Sequence, residues 1–253
     1  MIGLLLDVGN SSIKWGVLVG GEIRRTGQIS RDRIRVKGLQ VLTTRLPRHV
    51  DDVFVSNVAG TSFATRLSGV VGMHCHCDVR FARVEKRAWG LSNSYAQPRR
   101  MGVDRWVAMV GAWAETQDTC LVVDVGTALT LDAIDDSGAH LGGQIIPGVA
   151  AMATALSSAT SDIPVVRPFP ARKGAEMQMF AHNTAAAVRE GARNAVVGAV
   201  DRAIQTLQSN GYRPATILTG GDASRILEAL SEAPVHRPHL CLLYTSPSPR
   251  DCN

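Results

Sequence analysis

A phrase near the start of this chain, LLLDVGNSSIKWGVL (Leu4–Leu18), returns in close paraphrase at LVVDVGTALTLDAI (Leu121–Ile134). Each copy sets an acid, a glycine and small polar residues between two apolar runs. One such D-x-G turn is weak evidence, because Asp, Gly and Asn are ordinary turn formers. Two copies, each flanked by strand-like runs, require a repeated strand–turn–strand unit. Around the first copy, residues 2–7, 12–19 and 22–29 read as an antiparallel meander. Further strands are expected at 51–59 and 72–79, with a helix over 61–70 between them. Apolar residues at helical spacing predict another helix over 102–115. The pattern then restarts with strands at 119–125, 128–134 and about 139–146. A strand at 215–219, a helix from about 222 and a strand at 235–240 follow, and the Ala-rich 174–209 reads as helix in two or more pieces. One β-β-β-then-α/β order therefore occurs twice. This predicts an α/β protein of two domains, 1–116 and 117–240, facing each other across a cleft.

The residues of the two turns suit phosphate. Gly9 and Gly126 lack a Cβ, so phosphate oxygens can approach the backbone. Successive turn amides form an anion-binding concavity, and Ser11, Ser12, Thr127 and Thr130 can add hydroxyl donors. Asp7 and Asp124 would repel phosphate unless a cation intervened, which implies Mg²⁺ held largely through water. A third signal is ATILTGGDA (215–223), an apolar strand followed by Gly220-Gly221. Alone it is a strand–helix turn; beside two phosphate hairpins it becomes the adenosine side of the cleft.

Composition narrows the setting. The 253 residues have apolar content ample for a core, and no apolar run approaches the roughly 18 residues of a membrane helix. The opening MIGLLLD lacks a basic stretch of the secretory kind. Only Cys75, Cys77 and Cys120 precede residue 240, a sparse odd set that suits a reducing cytoplasm. The net charge of +5 is mostly arginine, concentrated in RRTGQISRDRIRVKG (24–38) and between Arg80 and Arg105. Without interleaved aromatics, 24–38 reads as a solvated face or a coding bias, and nucleic acid is disfavoured.

With these residues in view, the chain resembles the type III pantothenate kinases of the acetate kinase/sugar kinase/Hsp70/actin superfamily. The matching phrases are DVGNSSIK (Asp7–Lys14), GVDR (Gly102–Arg105), DVGTALT (Asp124–Thr130), GGQIIPG (Gly142–Gly148), Asn183–Thr184 and TGGD (Thr219–Asp222). The resemblance implies two actin-like (ribonuclease H-like) domains with mixed sheets flanking an ATP cleft. It implies phosphorylation of pantothenate by ATP to 4'-phosphopantothenate, the first step of coenzyme A synthesis, in a cytoplasmic homodimer. Carried across, the ATP contacts are Asp7, Val8, Gly9, Asn10, Ser11, Ser12, Ile13, Lys14 and Thr127, joined by Gly220 and Gly221. Pantothenate would meet Tyr95, Gly102, Val103, Asp104, Arg105 and Thr184. Asp104 falls on the proton acceptor and Asp124 on a monovalent cation ligand, for K⁺ or NH₄⁺; Asp7 would reach Mg²⁺ through water. Isolated, GVDR would read as a helix start with Asp104 near the positive end of the dipole. Two other classes remain: a nucleotide-binding regulator, supported only by the basic 24–38, and a sugar kinase, disfavoured by Asp104 with Tyr95 and Arg105.

Two segments stand apart. MHCHC (73–77), read as a strand, puts Cys75 and Cys77 on one face and His74 and His76 on the other, too few per face for a four-ligand zinc site. The end, CLLYTSPSPRDCN (241–253), reads as a non-native tail: one reverse translation of Cys241–Ser246 resembles a transposon end used in sequencing-library adapters. Deleting it is expected to leave stability unchanged.

Overall fold

A computed structural model describes residues 1–166 and 179–243 of the chain. They form two compact units. Of the described residues, unit 1 holds Met1–Trp89, Tyr95–Gly111 and 239–243, and unit 2 holds Gly90–Ser94 and the others from Ala112 to Pro238. The division expected at 116/117 lies earlier, at Gly111/Ala112. Residues 90–94 lie in the unit opposite to that expected, as do His239 and Leu240.

Unit 1 is built on β1 (Ile2–Val8), β2 (Ser12–Val19), β3 (Glu22–Ser30), β4 (Asp52–Asn57) and β5 (Val79–Phe81), in the sheet order β3-β2-β1-β4-β5. Antiparallel pairing joins β1 to β2 and β2 to β3, whereas β4 and β5 run parallel to β1. The central β1 has both faces covered, so its run is continuously apolar rather than alternating. Leu4, Leu6 and Val8 pack with Phe63, Leu67, Val71 and Cys75 of α3 (Thr61–Cys75), while Leu5 packs with Phe54 and Leu242. The four α3 residues recur every fourth position, the stripe of a helix buried on one face. That stripe carries α3 to Cys75, so the strand expected at 72–79 is corrected: only Val79–Phe81 is extended, and His76 ends the helix in the left-handed region at φ 57°. The basic 24–38 stretch forms the end of β3 and α1 (Arg31–Lys37), and α2 (Gln40–Thr43) is a single turn.

Next come β6 (Arg87–Ala88), β7 (Leu91–Ser92) and α4 (Val103–Thr116). Unit 2 repeats the first plan. Its strands β8 (Cys120–Val125), β9 (Ala128–Ile134), β10 (His140–Pro147), β11 (Ala215–Thr219) and β12 (Val235–His236) lie in the order β10-β9-β8-β11-β12. Here too the first three are antiparallel neighbours and the last two run parallel to the central strand. Two sheets of one topology account for the repeated phrase, and the α/β class with paired actin-like halves is what the chain adopts.

After α5 (Val149–Ala159), α6 (Thr184–Ser209) is one helix of 26 residues, not several. Its buried residues Val188, Ala192, Val196, Val200, Ile204 and Leu207 keep helical spacing throughout. Gly191 and Gly198 lie on its exposed side. Such glycines cost about 1 kcal/mol each without interrupting the stripe. The expected helical region began at 174, and its positions up to 178 lie outside the described residues. The helix expected from 222 is instead two 3₁₀ turns, Ala223–Arg225 and Leu227–Ala229. Ala223 and Ile226 are buried three positions apart, the spacing that stacks side chains on that tighter coil. The strand expected at 235–240 stops at His236.

The chain then forms α7 (Leu240–Leu243), and this changes the reading of the tail. Leu240 and Leu242 are 0% and 1% exposed, and Leu242 covers the sheet face beside Leu5 and Phe54. Positions 244–253 lie outside the described residues. Deleting 241–253 therefore removes a core side chain, contrary to the neutral outcome expected from sequence. Leu242→Ala should cost roughly 2–4 kcal/mol and lower the melting temperature by several degrees. Circular-dichroism melts check this; an unchanged midpoint would show that the segment does not pack.

Candidate active site

The first DVG turn sits where β1 gives way to β2. Gly9 N donates to Ser12 O at 3.0 Å, closing a tight turn whose tip, Asn10 and Ser11, is exposed. Arg31 N donates to Ser11 O at 2.8 Å and Val58 N to Val8 O at 3.0 Å, tying the turn to the segments after β3 and β4. Asp7 lies opposite Lys14 across the antiparallel ladder and in register with Ser56 on β4. Directly opposed residues share a face, so the acid and the lysine stand together at the strand end. Ser56 is fully buried, and its hydroxyl has no hydrogen-bond partner among the described residues. It carries no motif signal; only the parallel pairing of β1 with β4 brings it beside Asp7. The side chains of Val8 and Ile13 are buried in the unit 1 core, and the two residues pair across the β1–β2 ladder.

In the same unit, Gly102–Arg105 open α4. Asp104 Oδ1 accepts from Arg105 N at 2.8 Å, and a Cβ on Gly102 would overlap that oxygen. Gly102 is thus the residue that lets the carboxylate fold over the helix start. Arg105 is only 5% exposed; its Nη1 donates to Tyr95 Oη at 2.9 Å, with the guanidinium 5.7 Å from the ring centroid. Tyr95, Asp104 and Arg105 therefore form one connected group. Val103, half-buried, is the first helical residue.

Unit 2 brings three phrases together that sequence keeps far apart. Gly126 N donates to Ala128 O at 3.0 Å, leaving Thr127 exposed at the tip of the second DVG turn. Gly148 N donates to Thr127 O at 3.0 Å, and a Cβ on Gly148 would strike the Gly126 and Thr127 carbonyls. From the other side, Thr219 pairs with Asp124 and Asp222 N donates to Val125 O at 2.9 Å. Gly220 adopts φ 103°, and a Cβ there would run into the Val125 carbonyl and Asp124 Oδ1. The DVGTALT, GGQIIPG and TGGD phrases meet at one end of this sheet, with Gly221 exposed beside them. Thr184, also in unit 2, is the exposed first residue of α6, capped by Asn183 Oδ1 accepting from Ala186 N at 2.9 Å.

The donor sets fit the cations implied. Asp124 Oδ1 and the Val125 carbonyl, both against Gly220, make an all-oxygen corner of the kind hard cations take. Asp7 is a single half-buried carboxylate, suited to Mg²⁺ that keeps its waters. The MHCHC stretch offers a poorer set. Burial pushes the Cys75 thiol up to about 11, as it does that of Cys120, so both stay protonated and weakly nucleophilic at neutral pH. Among the described residues, no three His, Cys, Asp or Glu side chains gather to hold a metal. None of the described helices is long and apolar enough to cross a membrane. Within the basic 24–38 stretch, Arg24 and Arg35 have carboxylate partners, Glu22 at 2.8 Å and Asp32 at 3.2 Å.

Comparison with known proteins bears on these features. The chain is 35% identical over 248 residues to the type III pantothenate kinase of Teredinibacter turnerae, covering 94% of this chain and 95% of that one. It is 32% identical over 246 residues to that of Nitrosococcus oceani, covering 94% and 90%. A solved structure from Campylobacter jejuni, described as a candidate Baf family transcriptional activator, superposes with a TM-score of 0.56 at 21% identity over 94% of this chain and 92% of that one, a likeness of fold. The family model for type III pantothenate kinase matches residues 3–206, a span that includes both DVG turns and the GVDR helix start. The chain belongs to the type III pantothenate kinase family.

Proposed function

We propose that this chain transfers the γ-phosphoryl group of ATP to the hydroxyl of pantothenate, yielding 4'-phosphopantothenate for coenzyme A synthesis. The observation that carries the reading is the joined group of Asp104, Arg105 and Tyr95 at a helix start, in a chain with two phosphate-type turns. Phosphoryl transfer asks a protein mainly for positioning and charge neutralisation, with a carboxylate to take the attacking hydroxyl's proton. Asp104 is that base. Arg105 offers forked donors to the substrate carboxylate, and the Tyr95 hydroxyl orients the fork. Val103 and Gly102 complete that wall, and Thr184 supplies a further substrate contact.

The Asp7–Lys14 hairpin takes the ATP phosphates through the Gly9 turn amides, Asn10, the Ser11 and Ser12 hydroxyls and Lys14. Thr127 adds a hydroxyl, and Gly220-Gly221 leave backbone open to the adenosine. Asp7 would hold Mg²⁺ through water, and the Asp124 corner would hold K⁺ or NH₄⁺. Bound there, these ions would offset the phosphate charge that the two acids otherwise oppose. An ADP-release assay tests the reading: turnover with pantothenate, and background rates with no acceptor or with simple sugars. Equal rates in all three arms would overturn it.

The proposed assembly is a cytoplasmic homodimer. Its support is the exposed small-residue line of α6, Ala187, Gly191, Ala195 and Gly198, with open space at both glycines. Ala195→Glu should weaken dimerisation at least tenfold and lower turnover with it, since a buried unpaired charge is costly. Light scattering beside the ADP assay decides; a fully active monomer would refute a substrate pocket that depends on assembly.

A further inference from the structure

The short segment Gly90–Ser94, which contains β7, is fastened to the β9–β10 hairpin in unit 2. Ser92 N donates to Gly138 O at 2.9 Å, and Ser92 forms a parallel bridge with Ala139. Gly90 and Gly138 approach so closely that a Cβ on Gly138 would strike the Gly90 carbonyl. The hairpin itself is locked: Asp135 Oδ1 accepts from Ser137 N at 2.9 Å, Ser137 Oγ at 2.7 Å and Ala139 N at 2.8 Å. Burial works to raise that carboxyl, yet these bonds hold it below the ordinary aspartate range.

Beyond the backbone stitches lies a polar relay. Ser94 Oγ is 2.9 Å from His140 Nδ1, and His140 Nε2 is 3.1 Å from Asp132 Oδ1. The His140 and Asp132 side chains are 1% and 2% exposed. Anchoring a strand does not require such a pair, because apolar residues of similar volume usually serve as well or better in a buried place. What the pair adds is direction. Asp132 holds Nε2, which turns Nδ1 toward the Ser94 hydroxyl. One hydroxyl is thereby held at one angle.

The residue after Ser94 is Tyr95. Its hydroxyl accepts from Arg105, and its carbonyl accepts from Lys86 Nζ at 3.4 Å. We propose that His140, oriented by Asp132, is a positioning residue for the acceptor substrate: its grip on Ser94 sets the backbone that enters Tyr95, and through Tyr95 the aim of the Arg105 fork. This rests on the reading of Tyr95 and Arg105 as pantothenate contacts. The relay moves no proton in the reaction and touches no phosphate. Its loss therefore acts on one substrate only, because a slight misplacement of a positioning group is expensive.

Steady-state kinetics on Ser94→Ala, Ser94→Thr, His140→Gln and Tyr95→Phe, with melting curves, test this. Ser94→Ala should raise KM for pantothenate about tenfold, leaving kcat, KM for ATP and the melting midpoint near their starting values. Ser94→Thr, which keeps the hydroxyl, should restore KM. His140→Gln should show the same one-sided rise even if it also melts earlier. If Tyr95→Phe raises KM for pantothenate while Ser94→Ala does not, the relay is structural and the proposal falls, although the substrate site stands. If Tyr95→Phe leaves KM unchanged, the reading of Tyr95 fails and the relay's role fails with it. Parallel losses for both substrates, tracking a lower melting point, would likewise mark the relay as structural only.

Discussion

Asp104→Asn is expected to lower kcat by about 10²–10⁴-fold, the usual worth of a positioned general base. The substitution preserves shape. Asp104 Oδ1 accepts from Arg105 N at 2.8 Å, and an amide oxygen can accept the same bond. Asparagine also serves well at helix starts, so α4 should form as before and the melting temperature should hardly move. What the amide cannot do is take up the proton of the attacking hydroxyl. ATP affinity should remain near normal, since the proposed ATP contacts are Asp7–Lys14, Thr127 and Gly220-Gly221. A purely structural Asp104 predicts the opposite, near-normal turnover. Measuring kcat and ATP affinity in one preparation separates the two, and normal turnover would remove Asp104 from catalysis.

Gly220→Ala should cost both stability and activity. At φ 103° a residue with a side chain is strained, typically by 1–3 kcal/mol. The added methyl also has no room, because it would run into the Val125 carbonyl and the Asp124 carboxylate. Relief requires moving either the turn after β11 or the Asp124–Val125 corner, where the cation is proposed to sit. The variant should melt lower and should also lose the stimulation by K⁺ expected when activity in K⁺ is compared with Na⁺. Gly221→Ala is the control: Gly221 has open space around its Cβ position and ordinary φ. Equal K⁺ stimulation in Gly220→Ala and the unaltered chain would remove the cation role from this corner.

Legibility of the fold divides along a physical line. Strands whose limits are set locally were plain in the sequence: 12–19 and 128–134 end where predicted, because Gly-containing turns punctuate them. Elements whose type depends on a partner were less plain. MHCHC alternates as a strand would, yet Cys75 completes the stripe Phe63, Leu67 and Val71 against β1, and that packing makes it helix. The 174–209 region read as two or more helices because sequence does not say which face of α6 is buried. Leu242 read as part of a foreign tail, and only the apolar sheet face around Leu5 and Phe54 gives it a place.

The sequence by itself determined the twofold plan, the α/β class and the family, because duplicated apolar runs and their turn residues are local and survive without a partner. It also supplied the chemistry of the turns, since Asp, Gly, Ser and Thr carry their donors and charges wherever they lie. Tertiary structure alone decided which of these meet. Gly148 and Gly220 reach the second DVG turn from positions distant in the chain, as Ser56 reaches Asp7, because strand pairing and parallel crossovers fix those approaches. The grip of His140 on Ser94 is of the same kind: a hydrogen bond between residues 46 positions apart, set by packing and written in no motif.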